Sequence, residues 1–135
     1  MNYNFEGIVS YYKSKNFNKL KKELSVLPVD NVTDNLKTLI FSNCMLNKKE
    51  DGTGLEEEYQ DLALYILEIG LDISKKVTVG EETYSLAYMS IMSGDLIILK
   101  KLFSIGLDID TIEKGANYLF HSIALSKSHI ANYLI

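Results

Sequence analysis

Leu96, Leu99, Leu102 and Phe103 recur at three- and four-residue intervals, while Lys100 and Lys101 fall off that stripe. This spacing predicts an amphipathic helix over 95–104 with one face turned to a core. Gly94 can take the left-handed backbone that ends a preceding helix, and the Asp95 carboxylate can accept from the free amides of the next turn. Gly106 stands where a helix ends without a side-chain clash. The same ending occurs twice, as Gly70-Leu71-Asp72-Ile73 and as Gly106-Leu107-Asp108-Ile109. Recurrence at a period of about 20–50 residues marks an array in which no unit buries its apolar face alone.

Hydrophobic periodicity elsewhere completes the picture of a single helical domain over 1–135. Four helix pairs are predicted: 4–13 with 16–25, 33–46 with 55–69, 83–92 with 95–104, and 117–125 with 128–134. With their connections these units cover approximately 4–27, 33–74, 83–110 and 117–135. Phe17, Leu20, Leu24 and Leu27 form one stripe before Pro28 ends it. Thr53-Gly54-Leu55-Glu56 has the spacing of a capping box, in which hydroxyl and carboxylate exchange hydrogen bonds with helix-end amides. Two connections are irregular. Asn47 to Gly52 is an insertion, and Lys75 to Gly80 leaves room for a short hairpin finger through Val77-Thr78-Val79. Insertions in helical arrays project from one face, often the binding face, so Glu50 and Asp51 enter the list of contact residues. The last helix ends on Ile130, Tyr133, Leu134 and Ile135, an apolar edge that a second copy or a further repeat would cover; a homodimer through 128–135 is one expectation.

Residues 94–110 resemble the outer helix of an ankyrin repeat, roughly Gly-His-Leu-Glu-Ile-Val-x-Leu-Leu-Leu-x-x-Gly-Ala-Asp-Val-Asn, without a gap. Residues 58–74 are similar only in the last third, and 126–135 match the first ten positions. Gly115-Ala116-Asn117-Tyr118-Leu119-Phe120 sits where the family has Gly-x-Thr-Pro-Leu-His, yet that tetrad is nowhere intact and the only proline is Pro28. The resemblance implies an all-α, ankyrin-like solenoid of about four stacked helix pairs with irregular connections. It also implies binding through finger tips and inner-helix surfaces. Carried over by position, these are Asp110, Thr111 and Glu113 on the finger, Tyr88, Met92 and Asp95 on the inner helix, and Glu81, Glu82 and Tyr84 just before it. Tyr84 and Tyr88, four apart, share a helical face and serve equally as contact anchors or as core. Asp108 belongs to the structural Gly-x-Asp pattern and is set aside.

Charge narrows the partner class. All fourteen basic residues are lysine, and the net charge is −4. The composition, rich in Asn, Ile, Lys and Tyr, suggests an AT-rich, bacterial coding source. An acidic chain without arginine is poorly suited to phosphate-backbone recognition, so nucleic acid is not expected as a partner. Lys13, Lys15, Lys19, Lys21 and Lys22 read as a solvated helix face. An acidic surface favours a basic protein partner through steering and complementarity. Cys44, alone, forms no internal disulfide and suits a reducing cytoplasm. The Met1–Glu6 segment lacks the features of a signal peptide, and no stretch approaches the roughly 18 apolar residues of a membrane span, so no membrane association is expected.

Candidate chemistry is sparse. His121 and His129 are the only histidines, and with one cysteine they fall short of a zinc ligand set, so no metal and no cofactor are expected. Cys44 with a histidine is a conceivable nucleophile–base pair, though nothing in the sequence joins them. Glu56-Glu57-Glu58 with Asp61 suits a helix N-terminus better than paired catalytic carboxylates. Gly52-Thr53-Gly54 is too short for a phosphate loop. These readings lead to a non-catalytic protein-binding domain. First in order is a small cytosolic immunity-type inhibitor that neutralises a cognate toxin domain, for instance a basic nuclease, by analogy with acidic bacterial immunity proteins carrying degenerate ankyrin-like repeats. Second is an ankyrin-like adaptor or scaffold within a longer array, and third a small enzyme or nucleic-acid binder on an irregular helical scaffold.

Overall fold

The computed structural model describes residues 5–135; the predicted helix start at residue 4 and the Met1–Asn4 part of the N-terminal segment lie outside the described residues. Among these residues the chain forms eight helices and one two-stranded sheet. They are α1 (Phe5–Lys13), α2 (Phe17–Ser25), α3 (Asn31–Cys44), α4 (Glu57–Glu68), β1 (Lys76–Val79), β2 (Glu82–Ser85), α5 (Leu86–Ser93), α6 (Leu96–Ser104), α7 (Tyr118–Ala124) and α8 (Ser128–Leu134). The mainly helical class is as expected. Consecutive helices pack two by two, α1 on α2 through α7 on α8, while α2 meets α4, α4 meets α6, and α5 meets α7. None of these helices is long and apolar enough to cross a membrane.

Turn chemistry repeats along the chain. Between α1 and α2 the Asn16 amide donates to the Tyr11 carbonyl, between α5 and α6 Asp95 to Ser90, and between α7 and α8 Lys127 to Ser122. In each turn one residue takes positive φ: Lys15 at 60°, Gly94 at 74° and Ser126 at 58°. This six-to-one bond with a left-handed residue just inside it satisfies carbonyls that a helix end leaves free. The two Gly-Leu-Asp-Ile endings also fold alike. Leu71 donates to Ile66 and Leu107 to Leu102, and the Asp72 and Asp108 carboxylates accept from the amides of Ser74 at 3.0 Å and Asp110 at 2.9 Å. The side chains of Asp30, Ser85 and Asn117 cap α3, α5 and α7 by accepting from the amides three residues on. The sequence repeat is thus a repeat of backbone hydrogen bonding.

Three local expectations are corrected. Thr53 and Glu56 form no capping box: α4 begins at Glu57 without a side-chain cap, and the Thr53 hydroxyl donates to Asp51 instead at 2.6 Å. The insertion does not project as a free loop. The Lys49 amide donates to Gly54 and Glu56 to Asn47, both at 2.8 Å, and the loop folds back against the α5–α6 turn. Third, the predicted helix start at 83 moves to 86. Glu82 to Ser85 pair with β1 in the register Lys76↔Ser85, Val77↔Tyr84, Thr78↔Thr83, Val79↔Glu82. The finger foreseen at 77–79 is therefore one strand of a hairpin whose second strand borrows the expected first turn of the helix.

One core runs through the stack. Ile8, Leu20, Leu24, Phe41, Leu62, Ile66, Leu86, Ile91, Ile98 and Leu99 have at most 1% of their surface exposed, which supplies the main driving force for packing. Cys44 is fully buried among them, and burial pushes its thiol from the ordinary 9.0 up to about 12.

Candidate functional site

Helix α3 carries two apolar stripes. Leu36, Ile40, Phe41 and Cys44 face the core, whereas Val32, Leu39 and Leu46, spaced by seven, are 50%, 56% and 75% exposed. The seven-residue spacing puts Val32 and Leu39 on nearly the same side of the helix, and Leu46 follows in the turn just past its end. The β1–β2 hairpin stands beside it, since β1 packs on α3 and β2 on α5. Between them lies a groove of about 420 Å³ whose lining includes Leu39, Leu46, Val77, Val79, Tyr84 and Met92. A second groove of about 210 Å³ continues toward α1, lined by Val9, Tyr12, Lys13, Leu36, Ile40 and again Leu39 and Asn43. Leu39 and Asn43 line both, so the two grooves lie side by side across α1, α3, α5 and the hairpin, and together they are called the trough below.

The charge of the trough is also uneven. Its only charged lining residues are Lys13 and Lys48. Neither takes part in the four ion pairs of the described residues, which use Lys15, Lys21, Lys101 and Lys114. Toward its α1 end, Tyr12 has its hydroxyl pushed from 10.0 up to about 12, chiefly by burial and further by Cys44 and Tyr59.

The structure sorts the contact residues expected from the sequence into distinct places. Tyr84, from β2, and Tyr88, from α5, stack with centroids 5.5 Å apart and planes 8° from parallel. The Lys114 ammonium lies 5.0 Å and 5.7 Å from the two ring centroids and pairs with Glu82 at 2.9 Å. The hydrogen bond from Lys114 holds the Glu82 carboxyl below its usual range. Tyr88 also meets the edge of His121 at 4.9 Å. Glu113 clasps the third unit to the fourth. Its carboxylate accepts from the Ser85 amide at 3.1 Å and from the Ser85 hydroxyl, and its carbonyl lies 2.5 Å from His121 Nε2. Glu82, Tyr84, Tyr88 and Glu113 therefore come together as an internal clamp, with Tyr84 and Met92 also reaching the trough. Of the two roles open to the tyrosines, packing accounts for most of their surface.

Asp95 is corrected as an open contact residue: only 1% of its surface is exposed. Its carboxylate accepts from the amides of Ile98 at 2.9 Å and Leu55 at 3.0 Å and from the Gln60 side chain at 2.9 Å. It caps α6, as expected, and also fastens the 47–56 loop. Glu50, Asp51, Glu81 and Asp110 are exposed at separate loop positions. Asp51 is held below the ordinary carboxyl range by the Thr53 hydroxyl. The Thr111 hydroxyl donates to the Asp108 carbonyl at 2.6 Å. Glu56, Glu57, Glu58 and Asp61 form an acidic surface at the start of α4. His121 and Cys44 do not share a site, and among the described residues no group of three or more His, Cys, Asp or Glu is arranged to hold a metal ion.

The trough was the part sequence reasoning missed. Leu39, Leu46 and Val79 were not among the expected contacts, yet a signal existed in Val32 and Leu39, seven apart on a helix whose core face was already apolar, with Leu46 just past its end. Compared with known proteins, the chain matches no family model, no curated protein and no solved structure.

Proposed function

We propose that this chain is a non-catalytic protein-binding domain that stacks its helix pairs in the manner of ankyrin repeats and grips a partner polypeptide along the trough. The observation that carries this reading is the mainly apolar lining of the two adjoining grooves, to which Leu39 and Leu46 add large, more than half-exposed side chains. A solvent-facing apolar strip of that kind, rimmed by polar residues, marks an interaction surface. The repeated turn bonds and the contacts of α2 with α4 and α4 with α6 support the stacked-repeat architecture.

Within that reading the chain is a small immunity-type inhibitor of a cognate toxin domain, supported by a single core within 135 residues and a net charge of −4. Overall acidity steers encounter with a basic body, while the apolar trough supplies the grip. The test is co-expression with the product of the adjacent open reading frame. Restored growth together with a one-to-one complex that Leu39→Asp dissolves supports the inhibitor; a toxic neighbour that stays toxic and is not bound overturns it.

The adaptor reading is favoured by a different observation. Phe120, Ile123 and Ile135 are 60%, 62% and 89% exposed at the last unit, where a further repeat or a second copy would cover them. Sedimentation that shows a monomer at high concentration removes the second copy.

A further inference from the structure

We infer that the trough is built for a polypeptide segment whose apolar side chains are flanked by carboxylates. This inference rests on the protein-binding reading above and names the chemistry of the partner. The apolar part follows from Leu39, Leu46, Val79 and Met92, which leave a channel of aliphatic and thioether surface between α3, the hairpin and α5. Methionine and leucine adapt their shape to different side chains without a fixed polar demand. The acidic flanks follow from Lys13 and Lys48. They are the only charged groups lining the trough, and they stand in different grooves of it, Lys13 in the groove toward α1 and Lys48 in the groove beside the hairpin.

Four of the fourteen lysines are already engaged with carboxylates of the chain itself. Lys15, Lys21, Lys101 and Lys114 each face an internal carboxylate within ion-pair distance, so a partner's acid gains little from them. Lys13 and Lys48, like the eight other lysines outside those pairs, have no such partner among the described residues, and they alone among them line the grooves, where no aspartate or glutamate stands. An arriving carboxylate displaces only water there, beside an apolar surface that strengthens the pair as it dries. A segment with basic flanks would instead place like charges at the trough, a repulsive element against the wrong partner. The net charge of the chain is acidic, yet the trough selects the opposite sign from the one that overall charge suggests.

The test uses the full chain as bait for a phage-displayed library of random peptides, with selected peptides then titrated by fluorescence anisotropy. Enrichment of apolar sequences with Asp or Glu at their ends is expected. Their affinity falls by about tenfold or more with Leu39→Asp. Lys13→Glu with Lys48→Glu gives a loss at low salt that fades above about 0.1 M ionic strength. Leu46→Ser serves as a second trough variant, and circular dichroism of each variant verifies the fold. Enriched peptides with basic or uncharged ends, or affinities indifferent to the lysine reversal, would sink the assignment. Peptides that cross-link to the last unit or to α4 overturn the trough while leaving a protein-binding domain standing. Enrichment no better than on an unrelated helical protein removes both.

Discussion

The trough and the charged surface of α4 manage their surface groups in opposite ways. On α4, Glu58, Asp61 and Glu68 meet lysines from neighbouring elements: Lys15 at 2.9 Å, Lys21 at 2.5 Å, and Lys101. These pairs tie α4 to α6 and to the first unit, so much of the charge is used inside the molecule. In the trough, Leu39 and Leu46 stay more than half exposed, and Lys13 and Lys48 face no carboxylate of the described residues. A charged surface is therefore not by itself the place to expect a partner. The informative surface is the one whose groups the fold leaves unspent.

The strongest way to break the comparison is to loosen the seam on which both regions hang. A Cβ on Gly94 would stand 2.0 Å from the Gly52 carbonyl oxygen, at a backbone φ of +74°. Gly94→Ala is expected to destabilise by about 3 kcal/mol or more in urea unfolding, through clash and left-handed strain together. Gly106→Ala, also at positive φ but with nothing within 4 Å, should cost only about 1 kcal/mol. Equal costs would show that the loop is not seated on the α5–α6 turn.

The two stripes of α3 provide the next contrast. Ile40 is 5% exposed and its sequence neighbour Leu39 is 56% exposed. Ile40→Ala should lower stability by about 2–3 kcal/mol, and Leu39→Ala by about 0.5 kcal/mol or less while weakening partner binding. A large stability loss at Leu39 would make it core and leave the trough without its central residue.

Alkaline titration probes the core face of the same helix. Cys44 titrates at about 12 in the folded chain against an ordinary 9.0, so the folded state holds the proton that the unfolded state releases. Its contribution is complete below pH 9.0 and is lost as pH rises toward about 12, at about 1.4 kcal/mol per pH unit. Unfolding free energies measured in urea across that range should fall, with the raised Tyr12 and Tyr118 hydroxyls adding to the decline above about pH 10. Cys44→Ala should make the decline shallower, most clearly at about pH 9–10. An unchanged slope would place the thiol in contact with solvent.

The smallest effect belongs to the outer face. A double-mutant cycle of Lys21 and Asp61 should give a coupling of about 0.5 kcal/mol that salt removes, because the aspartate side chain is 67% exposed. Coupling of several times that size would mean that α4 is held by charge more than by Leu62 and Ile66.

Much of the fold was legible because its signals are local. The stripe Leu96–Leu99–Leu102, the glycines at 70, 94 and 106, and the cap at Asp95 each act within one or two turns, and the predicted helix pairs lie within a few residues of those observed. Boundaries slipped where a local motif lost to a distant partner. Thr53 turned to Asp51 while Leu55 was claimed by Asp95, and Glu82 to Ser85 paired with β1 before a helix could start. The contact residues were read less well, because local pattern does not tell which apolar groups a neighbouring unit will cover.

The amino-acid sequence by itself determined the helical pairs, the repeated Gly-Leu-Asp-Ile ending, the apolar core and the net acidity. All of these depend on spacing and side-chain chemistry within a short span of chain. Tertiary structure decided which polar groups were consumed and which apolar ones were left over. It buried Asp95 as a clasp, laid Lys114 on Tyr84 and Tyr88, and kept Leu39, Leu46, Lys13 and Lys48 open. The reason is physical: whether a side chain is satisfied depends on groups far away in the chain, and only packing brings those groups within reach.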